Sequence, residues 1–140
     1  MENKTVAGKI VTFSSGGREY GVGAFHAMEV LKRGEIRGVP KSAEYVSGII
    51  NLRGSIIPVL DIERFFGKKC GFSHGKILVI GDGKNLLLGL LADSVGGLVD
   101  VPAESMQKYS AGKAGGILDV SIGDKRRITL LDMENLLAGL

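Results

Sequence analysis

The sequence predicts an all-β fold, two small barrels packed together, and three observations carry that prediction. Glycine reaches 22 of 140 residues against 3 prolines, a balance suited to short strands joined by tight turns. The aliphatic runs are brief and bounded by glycine-rich bends. The same order of runs and bends then recurs at a spacing of about 70 residues.

Taken in order, Lys9-Ile10-Val11-Thr12-Phe13, the bend Ser14-Ser15-Gly16-Gly17 and Tyr20-Gly21-Val22 form a strand–turn–strand pattern. The segment from Ala24 to Lys32 fits either a strand or a helix. Val39-Pro40 leads to Tyr45, and Gly48-Ile49-Ile50-Asn51-Leu52 opens the next strand. Val59-Leu60-Asp61-Ile62-Glu63 then runs into a short helix, with Asp61 placed to cap it and Glu63 in its electropositive first turn. Phe65 and Phe66 are expected to bury that helix.

The second pass repeats the plan. Lys76-Ile77-Leu78-Val79-Ile80, the bend Gly81-Asp82-Gly83-Lys84 and Leu88-Gly89-Leu90 match the first hairpin. Val101-Pro102 leads to Tyr109, and Gly116-Ile117-Leu118-Asp119-Val120 matches the strand at Gly48. Leu130-Leu131-Asp132-Met133-Glu134 ends in Leu136 and Leu137, with Asp132 as the second cap. The expected organisation is one domain, 1–140, of two repeat units, 9–67 and 76–139.

Composition narrows the function. Hydrophobic residues at 44% and charged residues at 24% belong to an ordinary globular chain. The net charge of +3 is spread over short clusters (Lys32-Arg33, Lys68-Lys69, Lys125-Arg126-Arg127) with acids nearby, which favours a mixed solvated surface over a phosphate-binding stripe. The segment Met1 to Phe13 shows no long apolar core or cleavage pattern, so no secretory signal is expected. The apolar run Leu86 to Ala92 is far short of the ~20 residues a membrane helix requires. A lone cysteine, Cys70, agrees with a reducing cytoplasm.

The sequence carries no recognisable catalytic or ligand-binding pattern. His26 and His74 have no metal-ligand spacing, and Cys70 has no assured base. Gly81-Asp82-Gly83-Lys84 lacks the helix that a phosphate loop requires. Asp61 and Glu63 are accounted for by capping. The aromatic residues Phe13, Tyr20, Phe25, Tyr45, Phe65, Phe66, Phe72 and Tyr109 read mainly as core, not as a base-stacking face. No enzyme, metal, cofactor or nucleic-acid partner is expected.

The internal repeat serves as a control. What both copies keep, the fold explains; what one copy alone carries, the fold does not demand. Arg53 faces Ser121 in the second copy, and Pro58 faces Thr129. Proline lacks an amide donor and belongs at edges, strand starts or bulges, so Pro58 suggests an edge or local break beside Arg53-Gly54. Arg53 can extend its planar fork toward a partner's carboxylate or carbonyl. It can equally be a solvated turn residue or pair internally with Glu29, Glu44 or Asp61. Both readings stay open on pattern alone.

The residues Met28-Glu29-Val30, Glu35-Ile36-Arg37-Gly38-Val39-Pro40 and, above all, Val46-Ser47-Gly48-Ile49-Ile50-Asn51-Leu52-Arg53-Gly54 through Pro58 and Asp61 resemble the CheW family of chemotaxis coupling proteins. The resemblance runs from about Lys9 to Leu137 and departs from the family pattern at Ala24-Phe25-His26-Ala27. It implies two SH3-like five-stranded β-barrels with short capping helices and swapped segments. It implies a non-enzymatic cytoplasmic scaffold joining a chemoreceptor tip to the regulatory domain of a histidine autokinase, reaching the membrane only through receptors. By the same resemblance Arg53 lies at the receptor-facing groove with Glu29, Gly48 and Asn51 nearby, and Gly54 and Pro58 shape the turn and strand. The kinase would meet the barrel flanks. Two alternatives remain: coupling in a related motility or gene-regulatory pathway, and a basic nucleic-acid-binding barrel.

Overall fold

The computed structural model describes residues 8–65, 75–81, 83, 86–101, 117–122 and 126–131, the segment 117–122 by its backbone. Strands β1 (Gly8–Ser15) and β2 (Arg18–Gly23) form the first hairpin, followed by a 3-10 turn (Ala24–His26) and β3 (Ala27–Lys32). The ambiguous stretch is thus a turn and then a strand. Next come β4 (Val46–Leu52), β5 (Ser55–Leu60), the short helix α1 (Ile62–Phe65), β6 (Lys76–Gly81), β7 (Leu87–Ala92), β8 (Ser94–Val101), β9 (Ile117–Ile122) and β10 (Arg126–Leu131).

Gly16 and Gly17, with φ of 63° and 82°, turn the first hairpin; a type I′ turn requires positive φ at both central residues. Asp61 behaves as expected, its Oδ1 accepting the N–H of Glu63 at 3.0 Å and of Arg64 at 3.4 Å. Glu63 follows in the first turn of α1 but is buried, its carboxylate filling the space that a side chain at Gly16 would need. Phe65 packs edge-on against Tyr45 with ring centroids 5.0 Å apart. The expected second cap at Asp132, with Glu134, Leu136, Leu137 and Phe66, lies outside the described residues.

The strands form two five-stranded sheets of the same order, β8-β1-β2-β10-β9 and β3-β6-β7-β5-β4. In each, a hairpin joins a second hairpin through a short parallel contact, β2 with β10 and β7 with β5. Each sheet therefore takes two strands from one half of the chain and three from the other. The fold is the pair of SH3-like barrels that the sequence predicts.

The second sheet shows how such a barrel closes. After β3 the chain returns to the free edge of β4, where Arg37 and Ile49 exchange backbone hydrogen bonds of 3.0 and 2.8 Å. Each barrel has a small core of its own: Ile10, Val101, Ile128 and Leu130 in one, Ile57, Val59, Ile77, Val79 and Leu91 in the other. A larger cluster joins them, packing Phe13, Tyr20, Val22 and Leu131 against Leu60, Ile62, Leu78, Ile80, Leu88 and Leu90. Among the described residues no helix is long and apolar enough to cross a membrane.

Two sequence expectations need refinement. Of the edge or local break suggested by Pro58, β5 as a whole is not an edge strand, because it lies between β7 and β4. Pro58 is tolerated there because its neighbour Ile49 directs its own N–H and C=O outward to Arg37. Pro58 is then in a non-hydrogen-bonded pair on the β4 side, and pairing with β7 begins only at Val59. Nor is Phe25 a core residue: it is 79% exposed on the turn before β3, whereas Phe13 and Tyr20 are buried and stacked.

Candidate partner-binding site

The β4–β5 hairpin turns through Arg53 and Gly54, with Leu52 facing Ser55. Both turn residues have positive φ, 49° at Arg53 and 90° at Gly54, again the type I′ geometry. Glycine adopts it freely. A residue with a Cβ crowds its own carbonyl there, at a cost of roughly 1–2 kcal/mol. Asn51 supports the turn, its side-chain Oδ1 accepting the Gly54 N–H at 2.9 Å. The arginine thus stands at the hairpin tip against its backbone preference.

Its side chain reaches from the β4–β5 tip to Glu29 on β3, the strand at the opposite end of the same sheet. Nη1 donates to Oε1 at 3.5 Å and Nη2 donates to Oε2 in a closer contact. Of the internal partners that the sequence left open, Glu29 is the one used, not Glu44 or Asp61. The pair is not sealed inside: the Arg53 side chain is 70% exposed and Glu29 is about a third exposed. Hydrogen bonding from Arg53 to Glu29, with their Coulombic attraction, raises the guanidinium pKa further, so the charge is permanent. Its Nε–H has no acceptor among the described residues.

Gly48 has a different explanation. With φ of 153° it sits at a bulge in β4, and a Cβ there would come within 2.3 Å of the Arg37 carbonyl oxygen. Close approach of the returning chain requires this glycine. Asn51, by contrast, lies beside Arg53 and helps line an open groove of about 300 Å³ with Glu35, Arg37, Ile49, Ile50 and Ile56. The structure thus brings together Arg53, Glu29, Asn51 and Gly54, places Gly48 under the Arg37 crossing, and leaves Pro58 within the sheet.

Among the described residues no three His, Cys, Asp or Glu side chains are placed to hold a metal. His26 donates from Nδ1 to the Gly81 carbonyl at 2.8 Å, clipping the turn before β3 to the end of β6. Cys70 and His74 lie outside the described residues.

One feature escaped the sequence reading. Arg126, at the start of β10, makes a bidentate pair with Glu19 on β2, with Nε to Oε1 at 2.9 Å and Nη2 to Oε2 at 2.5 Å. The hydrogen bond from Arg126 holds the Glu19 carboxyl below its ordinary pKa, and burial opposes it. Each barrel therefore has an arginine–carboxylate pair from its late hairpin, but Arg126 reaches the adjacent strand β2 whereas Arg53 reaches β3 at the far end of its sheet. Its position on a turn tip and its open Nε are not shared.

Comparison with known proteins gives one consistent answer. A family model described as a CheW-like domain matches residues 9–140. The chain is 27% identical over 136 residues to the probable chemotaxis protein CheW of Rhizobium etli, covering 91% of this chain and 86% of that one. It is 30% identical over 132 residues to the protein FrzA of Myxococcus xanthus, covering 89% and 82%. Among solved structures, the scaffolding protein TtCheW of Thermoanaerobacter tengcongensis superposes with a TM-score of 0.68 at 28% identity, covering 90% of this chain and 89% of that one.

Proposed function

Because the chain belongs to the CheW-like family, a family of chemotaxis coupling scaffolds, we propose that it joins the cytoplasmic tip of a chemoreceptor to the regulatory domain of a histidine autokinase. The role needs no catalysis; it needs a stiff body with separate surfaces for separate partners. We place the protein in the cytoplasm, recruited to the membrane by its receptors.

The observation that carries this reading is Arg53: exposed, permanently charged and held at a hairpin tip in a backbone conformation that arginine disfavours. Fold stability alone would select asparagine or glycine at that position. Glu29 fixes the direction of the fork, Asn51 and Gly54 fix the turn beneath it, and the receptor's acceptors meet the open face. Gly48 contributes by letting the Arg37 segment cross β4. The contacts with kinase and receptor are individually modest, and firm assembly comes from several acting together.

The test is Arg53→Glu. Co-sedimentation with receptor-bearing membranes should be lost, while the circular dichroism spectrum and capture of the kinase regulatory domain stay unchanged. Undiminished co-sedimentation removes Arg53 from the receptor surface.

A further inference from the structure

The outer edge of β4 is used at one point and open at the next. Along the β4–β5 ladder the pairs alternate, so the residue two beyond Ile49 has the same outward-facing backbone. Ile49 spends its outward N–H and C=O on Arg37. Asn51 faces the same way, but the returning chain has parted from β4 there, and the Asn51 backbone N–H and C=O have no partner among the described residues. The gap left by that parting is the groove of about 300 Å³.

Its walls are rich in donors. The Asn51 amide Oδ1 is engaged by Gly54, which leaves Nδ2 to donate. Arg37 is exposed, with no side-chain partner among the described residues, and Arg53, two residues beyond Asn51 at the hairpin tip, keeps an Nε–H with no acceptor among them. Ile56 supplies an apolar wall, 59% exposed. Glu35 is the single unpartnered carboxylate on the lining, and it disfavours a second acid at its own end.

We propose that the β4 edge at Asn51 is a strand-addition site for an extended acidic segment of a partner protein. The segment's carbonyl accepts from the Asn51 N–H and its N–H donates to the Asn51 carbonyl, continuing the ladder that Arg37 begins. An aspartate or glutamate of the segment meets Arg37 and the open face of Arg53, an apolar side chain covers Ile56, and Glu35 sets the direction of entry. This rests on the coupling reading only in requiring that the hairpin face a partner. It adds a main-chain mode of recognition.

The test uses the full chain as bait for a phage-displayed random heptapeptide library, with counter-selection on the Ile56→Asp chain. Enriched peptides should carry an acid, and their binding should slow hydrogen exchange of the Asn51 amide about tenfold. Methylating the peptide amide that faces Asn51, or Arg37→Ala in the protein, should each weaken binding about tenfold. No enrichment over the counter-selection, or enriched peptides that bind as helices and ignore the methylation, overturns the proposal. Should Arg53→Glu leave receptor co-sedimentation intact while peptides still protect Asn51, the Arg53 receptor site falls and this proposal stands. Lost co-sedimentation with no peptide enrichment is the reverse.

Discussion

Arg53 and Gly48 stand five positions apart on one hairpin and answer to different demands, which stability measurements can separate. At Arg53 the left-handed backbone costs roughly 1–2 kcal/mol, and the solvent-exposed pair with Glu29 does not make that up. Arg53→Gly should therefore leave the urea midpoint unchanged or slightly higher while removing receptor binding. At Gly48 any Cβ meets the Arg37 carbonyl at 2.3 Å, so Gly48→Ala must push the returning chain off β4. A loss of roughly 2–4 kcal/mol is expected there, in the range of overpacking and backbone strain combined. Were Arg53→Gly the more damaging change, the arginine would be a structural residue. The motif around both positions was legible in the sequence, but their division of labour was not, because Gly48 is set by a segment of chain that crosses it from elsewhere.

At the scale of elements, the hairpins were legible and their neighbours were not. Glycine pairs and alternating aliphatics mark β1–β2 and β4–β5 locally, and Asp61 marks the start of α1 in the same way. Pro58 marks the point where β5 changes from one neighbour to two, and the sequence could not show this because the second neighbour, β7, comes from the other half of the chain and pairs only from Val59 on. Phe25 misled because an aromatic beside strand residues carries no local sign of facing outward. The Glu19–Arg126 clamp spans 107 residues and leaves no spacing to read. That clamp gives the joint between β2 and β10 a pH dependence of known sign. Glu19 has a lowered folded pKa, so its contribution is present above the unfolded value of about 4.3 and is lost as pH falls through the folded one. Because both groups are partly exposed, the effect is under about 1 kcal/mol. Arg126→Ala should lower the urea midpoint at pH 7 by an amount that shrinks progressively as pH is taken below about 4.3; a deficit that stays constant with pH would assign the loss to packing.

For the whole molecule, the strand order sets how far the two units can be separated, and we propose that 9–67 and 76–139 are one cooperative body built by exchange. In the first unit alone, β1–β2 loses both flanking strands, β8 and β10, while β3 is cut off from β4 and β5 by the missing β6 and β7. Two isolated hairpins remain, and isolated hairpins are marginal in water. The shared cluster is divided as well: Phe13, Tyr20, Val22, Leu60 and Ile62 stay, while Leu78, Ile80, Leu88, Leu90 and Leu131 go. Such a fragment exposes more apolar surface than a chain of its length can cover. A fragment 9–67 should therefore show collapsed amide dispersion by NMR on its own, and mixing it with 76–139 should restore the spectrum of the intact chain. A fragment that folds alone would mean that each half contains its own barrel. The same interdependence bears on the proposed coupling: with the two sheets sharing one core, any two partner surfaces on the molecule keep a fixed spacing, so that several modest contacts can add up to a firm assembly.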